Sequence, residues 1–118
     1  FHNRFGYHHY EGIALSMEEQ DRLIADLGGH DAMILYNHGL LTCGRSVGEA
    51  YLRMFYLEKA ARAQMMAMAA TSDIVMPPPE VAELTAQQHG GANDLAIGER
   101  EWPATLRKLD RIDPGYRD

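Results

Sequence analysis

The sequence contains one cysteine and no apolar run long enough to cross a membrane. A single cysteine, Cys43, excludes a disulfide within the chain and is typical of a reducing compartment, so we expect a cytoplasmic protein. Cys43 lies in an apolar run without an acid–base partner nearby in sequence, which favours a packed, unreactive thiol. A spanning helix needs ~20 consecutive apolar residues, and residues 1–4 lack the pattern of a secretory signal. We therefore expect no membrane partner.

Positive charge is also scarce. Lysine and arginine together number 11 against 17 aspartates and glutamates, which gives a net charge of -6. An acidic surface repels phosphate groups, so we expect no nucleic-acid partner. Three basic residues cluster near the end of the chain, but aspartates are interleaved with them, so we interpret this cluster as a solvated helix face of mixed charge.

The first half of the chain is predicted to contain one helix and two short strands. Ser16 to Glu19 has the Ser-x-x-Glu pattern of a capping box, and Gly28-Gly29 is a typical helix end. Residues 31–37 are too short and too uniformly apolar for a surface helix, which favours a strand buried on both faces. Asn37-His38-Gly39 predicts a tight turn in which Gly39 frees the backbone, and residues 40–43 predict a second strand.

The second half is predicted to be helical. Ser46 to Glu49 repeats the capping box and begins a long helix that runs to about Thr71. We interpret its methionines as core filling, within an apolar stripe of Val47, Ala50, Tyr51, Met54, Leu57, Ala61, Met65 and Met68. Pro77 to Pro79 prevents continuation, residues 80–89 predict a short helix ended by Gly90-Gly91, and residues 102–112 predict a last helix before the tail.

These elements indicate an α/β layer structure. The 118 residues suit one domain, and 46% hydrophobic with 24% charged residues is ordinary for a globular protein. Two or three strands are nevertheless fewer than the four to six or so strands of a usual sheet. Residues 1–10 also contain more aromatic and histidine side chains than the first residues of a domain usually do. We expect a longer protein of which this is a part; a complete small domain stays open as the alternative.

Six histidines are the candidates for a metal site. None belongs to a His-x-His pair on a strand or an i, i+4 pair on a helix, the spacings that mark such sites. His8 and His9 are adjacent, so in extended chain they point to opposite faces and cannot both bind one ion. His30 and His89 adjoin glycine pairs and are interpreted as surface turn residues. His38 ends the predicted strand, where ligand crevices open in α/β proteins, although a structural role stays open.

The segment from Met33 to Gln64, MILYNHGLLTCGRSVGEAYLRMFYLEKAARAQ, strongly resembles the class II aldolase/adducin family. The shared pattern is an apolar strand, an Asn-His-Gly turn, Leu-Leu-x-x-Gly, and a long helix that begins near Ser-Val-x-Glu-Ala and carries Leu-Glu. The segments YHHYEGIAL, from Tyr7 to Leu15, and LRKLDRIDPGYRD, at the end, are similar to the adducin-like bacterial branch. The resemblance covers nearly the whole chain, with residues 74–101 the least distinctive.

For the fold, the resemblance implies a three-layer α/β/α sandwich. Residues 1–118 would be the C-terminal portion of a single domain whose N-terminal half is missing, and residues 102–118 would be its C-terminal helix and tail. Members of the family are often ring-shaped tetramers with sites at subunit boundaries, so the resemblance also implies a homo-oligomer, with a tetramer favoured.

For the chemistry, the resemblance implies a divalent metal, most often zinc, bound by three histidines. Two belong to a His-x-His pair expected upstream of residue 1, and the third is His38. The general base is also expected upstream, so no catalytic residue is assigned here, and this piece alone is expected to be inactive. Tyr116 is a candidate acid, although an exposed tail residue is the simpler interpretation.

The implied function is a lyase that cleaves or rearranges a small hydroxylated carbonyl substrate, of sugar-phosphate type, through a metal-stabilised enediolate. Aldolase, epimerase, dehydratase and decarboxylase reactions stay open, because the specificity loops are expected upstream. The alternative is a non-catalytic, adducin-like interaction or scaffold module.

Overall fold

The computed structural model describes residues 1–13, 17–90 and 98–117. Strands and helices alternate along the first half of the chain, and helices follow in the second half, which confirms the predicted α/β class. The elements are β1 (Gly6–His8), α1 (Met17–Leu27), β2 (Ala32–Leu35), β3 (Gly39–Thr42), α2 (Val47–Ala70), α3 (Pro79–Gly90), α4 (Glu101–Ile112) and a 3-10 turn (Pro114–Arg117).

The three strands form one sheet in the order β1-β2-β3. β1 runs parallel to β2, with Gly6 opposite Met33, and β2 runs antiparallel to β3, with Leu35 opposite Gly39. Because β1 and β2 are parallel, their carboxyl ends lie at the same edge of the sheet. The residues that follow His8 and those that follow Leu35 therefore leave the sheet side by side.

The central strand β2 is buried most completely at its beginning. Ala32 and Met33 each have 1% of their surface exposed, whereas Ile34 and Leu35 are half-buried. The prediction of a strand buried on both faces is therefore correct only for the first half of β2. Its second half approaches the sheet edge, where less of the described chain covers it.

Helix α1 ends as predicted. Gly28 has φ +55, a left-handed conformation that glycine adopts without strain, and its N–H donates to the carbonyl of Ile24 at 3.0 Å. The predicted capping serine, Ser16, lies outside the described residues, and the helix begins at Met17.

Gly6 allows α1 to approach β1 closely. A Cβ at this position would overlap the backbone oxygen of Asp26 and lie 3.0 Å from the Cα of Leu27. Any larger residue would push the last turn of α1 away from the strand. Through this contact the side chain of Asp26 comes within reach of β1.

Helix α2 has a capping box with an altered partner. Ser46 is the N-cap residue, and its side-chain oxygen accepts a hydrogen bond from the Glu49 N–H at 3.2 Å, as the sequence predicts. The Glu49 carboxylate, however, accepts from the backbone N–H of Arg45 at 2.6 Å rather than from Ser46 itself. The carboxylate thereby orders the residue that precedes the helix.

The prediction that the apolar stripe of α2 is buried is wrong at both ends of the helix, within the described structure. Val47, Met65 and Met68 have 69%, 66% and 55% of their surface exposed, so these methionines do not fill its core. The buried residues are Gly48, Glu49, Leu52 and Leu57. Length explains the difference: 24 helical residues extend about 36 Å, whereas the four residues of β3 extend about 13 Å.

The last elements pack against the start of α2. Trp102 of α4 contacts Tyr51 of α2, with 5.4 Å between ring centroids.

Helix α3 begins at Pro79, one residue earlier than predicted, and runs to Gly90. Gly91, the second residue of the predicted Gly90-Gly91 stop, lies outside the described residues. No helix in the ranges 17–90 and 98–117 has the length and hydrophobicity needed to cross a membrane.

Candidate functional site

A small pocket lies at the edge of the sheet where β1 and β2 end. The backbone N–H of Tyr36 donates to the carbonyl of His8 at 2.9 Å, which extends the pairing of the two chains beyond the strands. The pocket has a volume of about 50 Å³ and its walls include His8, Tyr10, Glu19, Leu35, Tyr36 and His38. It is therefore formed by β1 and its following segment, by α1 and by the β2–β3 turn.

The turn that carries His38 is strained at Asn37 rather than at Gly39. Asn37 has φ +57, and the His38 N–H donates to the carbonyl of Leu35 at 3.1 Å. Gly39 is the first residue of β3 and has no positive φ, so the prediction that Gly39 frees the backbone is wrong. Asparagine adopts the left-handed region more readily than other non-glycine residues, and this makes the tight turn possible.

His38 lies at the strand end, as predicted, with an exposed side chain. Its ring contacts Tyr10 edge-on at 6.1 Å between centroids. Neither ring nitrogen forms a hydrogen bond with the part of the chain that the structure describes. A nitrogen lone pair of His38 is thus available to a ligand at the pocket, and the residue fits a metal as one imidazole donor.

The described residues do not by themselves form a complete metal site. Among residues 1–13, 17–90 and 98–117, no group of three His, Cys, Asp or Glu side chains is arranged to hold an ion. A metal at His38 therefore requires further ligands from outside these ranges. The role of His38 as a metal ligand stays a prediction.

His8 is a buried polar residue in the pocket wall that the sequence did not single out. It has 4% of its surface exposed. Its Nδ1 lies 2.8 Å from a carboxylate oxygen of Asp26, and its Nε2 lies 3.8 Å from Oε1 of Glu19. His9, the adjacent residue, is exposed. No sequence spacing links His8 to Asp26, since helix packing at Gly6 brings them together.

Aromatic rings cluster beside the pocket. The imidazole of His9 lies 5.1 Å from the ring of Tyr36, and Tyr7 stacks on Tyr36 at 5.8 Å. Tyr7, Tyr10 and Tyr36 are all exposed. These rings give the edge of the site an apolar, π-rich surface beside the two histidines.

The pocket wall carries negative charge. Glu11 and Glu19 line it, and Asp26 lies behind His8. Arg22 donates to both carboxylate oxygens of Glu11, and this hydrogen bonding holds the pKa of Glu11 below its usual value. Glu11 is therefore ionised at neutral pH, with Arg22 beside it.

The other candidates from the sequence lie elsewhere. The Tyr116 hydroxyl donates to Asp110 at 2.8 Å, on α4, and Tyr116 is not among the residues that line the pocket. His89 belongs to the last turn of α3, and its ring lies 6.0 Å from that of Tyr56. Cys43 is half-buried, and its carbonyl accepts from Arg53 at 2.6 Å.

The chain is similar to known proteins along almost all of its length. Residues 1–65 match the family model described as Class II Aldolase and Adducin N-terminal domain. Over 98% of this chain, the sequence is 44% identical to a Caulobacter vibrioides protein provisionally named an aldolase class 2 protein. It is 34% identical, over 94% of this chain, to an adducin-related protein of Schizosaccharomyces pombe.

A solved structure supports the same relationship. The crystal structure of an aldolase II superfamily protein from Pseudomonas syringae matches 98% of this chain with a TM-score of 0.82 and 43% identity. The chain spans 45% of the length of the Caulobacter relative and 46% of the Pseudomonas chain. The predicted fold, α/β of the class II aldolase type, is confirmed. With the Asn-His-Gly turn at the sheet edge, these matches show that the chain belongs to the class II aldolase/adducin family, in its adducin-like bacterial branch.

Proposed function

We propose that the protein is a metal-dependent lyase of the class II aldolase type, and that His38 is one of its metal ligands. The substrate is a small hydroxylated carbonyl compound, and the reaction cleaves or rearranges it. One observation carries the proposal: the His38 imidazole lies at the pocket with both ring nitrogens free of hydrogen bonds to the described residues.

A divalent cation, with zinc as the first candidate, would supply Lewis-acid chemistry at this position. The chain's own residues hold the imidazole in place for it. The backbone hydrogen bond from His38 to Leu35 fixes the turn, and the edge contact with Tyr10 limits rotation of the ring. Tyr36 and His9 form the rim over which a small substrate enters.

The experiment is metal analysis of the purified full-length protein, which would carry the upstream histidine pair, and of its His38→Ala variant. We expect about one equivalent of zinc or another divalent ion per chain in the wild type, because three protein nitrogens form the usual catalytic site. The His38→Ala variant should retain less than about a tenth of this metal, because two nitrogen ligands leave the coordination site incomplete. His30→Ala is the matched control, because His30 precedes β2 and lies at the opposite edge of the sheet. The metal content of this variant should equal that of the wild type.

Activity is measured in parallel as retro-aldol cleavage of a panel of hydroxylated aldehydes and ketones, free and phosphorylated. Cleavage should stop when a chelator removes the ion and return when the ion is added back. Wild-type protein that lacks the ion and stays active with a chelator would exclude the proposal, as would His38→Ala with full metal content.

The second candidate is an adducin-like interaction module without catalysis. The similarity to the adducin-related protein of Schizosaccharomyces pombe favours it. This function predicts a protein that binds no stoichiometric ion and cleaves none of the panel, while folding normally. The same measurements therefore separate the two candidates.

We further propose that the protein works as a homo-oligomer, with a tetramer favoured, in the cytoplasm. A small-molecule substrate is its only proposed ligand apart from the metal. The net charge of -6 is the basis for proposing no nucleic-acid partner.

A further inference from the structure

The imidazole of His8 is held in a defined orientation by Asp26. An ionised carboxylate only accepts hydrogen bonds, so the short contact of 2.8 Å assigns a proton to Nδ1, which donates to Asp26. The other ring nitrogen, Nε2, then lies toward Glu19, which lines the pocket together with His8. A carboxylate that fixes one nitrogen of a histidine while the other meets a ligand is a recurrent arrangement in functional sites.

Nε2 of His8 is a buried polar atom without a hydrogen-bond partner among the described residues. The nearest acidic oxygen, Oε1 of Glu19, is 3.8 Å away, which is too long for a hydrogen bond. Buried polar atoms of this kind are rare, and a functional role or a bound group can account for one. The pocket that His8 lines has a volume of about 50 Å³, which is enough for at least one water-sized group.

The charge around the pocket selects the kind of group that fits. Glu19 lines the wall and Asp26 lies behind the ring, and these two carboxylates disfavour an anionic group, while the charge of Glu11 is balanced by Arg22. A hydroxyl group carries no charge and both donates and accepts hydrogen bonds. It pairs with Nε2 whether that nitrogen presents a lone pair or a proton.

We propose that this pocket binds a neutral hydroxyl group of a small polyhydroxylated ligand, with Nε2 of His8 as its hydrogen-bond partner and Asp26 as the residue that positions the ring. The inference rests on the proposed function in one respect, since it takes the pocket beside His38 as the substrate site. It adds that the uncharged, hydroxylated end of the ligand lies against β1 and α1.

The test follows the nitrogen signals of His8 by NMR in metal-depleted, ¹⁵N-labelled protein. Three probes are added separately: dihydroxyacetone, acetone as its hydroxyl-free counterpart, and inorganic phosphate. Dihydroxyacetone should shift the Nε2 signal of His8 saturably, and acetone and phosphate should not. An equal shift with acetone, a stronger saturable shift with phosphate, or no shift with dihydroxyacetone would each overturn the proposal.

Variants test the contact itself. His8→Phe keeps a planar ring but removes the nitrogen, and it should weaken dihydroxyacetone binding, measured on neighbouring amide signals, by about fivefold or more. His30→Phe is the control at the opposite sheet edge and should bind as the wild type does. Unchanged affinity in a folded His8→Phe protein would contradict the assignment.

Asp26→Asn tests the positioning role and remains informative even if His8→Phe does not fold. The neutral amide no longer requires a proton on Nδ1, so the His8 signals should change to a mixture of the two tautomers. A merely structural carboxylate would leave the tautomer unchanged, and that result would exclude the role of Asp26.

Removal of the metal separates this inference from the proposed function. If the protein binds no metal but dihydroxyacetone still shifts His8, the hydroxyl site stands without the lyase. If metal binding depends on His38 but His8 shows no hydroxyl contact, the lyase stands without this site.

Discussion

Asn37 sets the position of the proposed metal ligand through one backbone angle. The sequence predicts a tight turn at residues 37–39, and the structure has one, but the left-handed residue is Asn37 with φ +57. Asparagine and glycine both adopt this region, so the Asn-His-Gly sequence alone does not show which of the two residues is left-handed. The strand register, with Leu35 opposite Gly39, decides it by placing Gly39 in β3.

We predict that Asn37→Ala destabilises the protein by about 1 kcal/mol, because an alanine Cβ is unfavourable in the left-handed region. Asn37→Gly should be close to the wild type, since glycine adopts this conformation freely. Urea unfolding followed by circular dichroism measures both free energies of unfolding. Equal stability of the alanine variant and the wild type would show that the turn relaxes to another conformation.

His8 illustrates which part of the site could not be predicted. The alternation of faces along a strand predicts that His8 and His9 diverge, and the structure buries His8 and leaves His9 exposed. Which of them is buried, and against what, depends on the approach of α1 to β1 at Gly6. That contact joins residues distant in the chain, so no local pattern reports it.

At the scale of elements, a network around Glu49 and Arg53 joins α2 to the sheet. The Arg53 guanidinium donates to the carbonyl of Cys43 at 2.6 Å and pairs with Asp31 at 2.9 Å and Glu49 at 3.0 Å. Arg53 therefore connects the helix to the residues that flank β2 and β3. The capping box was visible in the sequence, whereas the role of Arg53 depends on how the helix lies on the sheet.

Glu49 makes part of the stability depend on pH. Burial alone would raise the pKa of its carboxyl group, but the hydrogen bond from the Arg45 backbone and the Arg53 charge outweigh burial and hold the pKa below its ordinary 4.5. The folded state therefore binds this proton less readily than the unfolded state. The stabilisation is complete above about pH 4.5 and is lost as the pH falls through the folded pKa.

We predict that Glu49→Gln lowers the free energy of unfolding by about 2 kcal/mol at neutral pH, because it removes a buried carboxylate that accepts charge-assisted hydrogen bonds. The difference from the wild type should shrink as the pH falls below 4.5. Glu58→Gln, an exposed position on the same helix, is the control and should change stability little. Urea midpoints over this pH range measure all three proteins, and a constant difference would refute the assignment to Glu49.

Helix and strand positions were largely predictable at this scale, and helix burial was not. Caps and turn residues act within a few positions, so Ser46 and Gly28 mark helix ends in the sequence. Burial of α2 depends on how far it extends beyond its neighbours. A three- and four-residue periodicity alone places Met65 and Met68 in a core that the described chain does not provide.

The whole molecule is less compact than an independent domain of its length. Its radius of gyration is 16.8 Å, against about 13.5 Å expected for 118 residues in a single compact domain. Large apolar side chains are exposed on the far part of α2 and beyond it, including Met65, Met66 and Val75. Exposed apolar surface on this scale is typical of surfaces that associate.

We predict that the protein is a homo-oligomer in solution, with a tetramer favoured. Size-exclusion chromatography with light scattering should give a mass several times that of one chain, and the mass should persist on dilution to low micromolar concentration. A mass of one chain across the dilution series would contradict this prediction. The fold class could be predicted from the sequence through its family pattern. The compactness of the molecule could not, because it depends on which surfaces pack against each other.

The antiparallel pairing of β2 with β3 has a consequence for the order of folding. Only a short turn separates these strands, and hairpins of this kind form in about 1–10 μs. Pairing of β1 with β2 must instead close a loop that includes all of α1, which delays it. The loop bearing His38 is therefore expected to take shape before His8 and Asp26 assemble beside it.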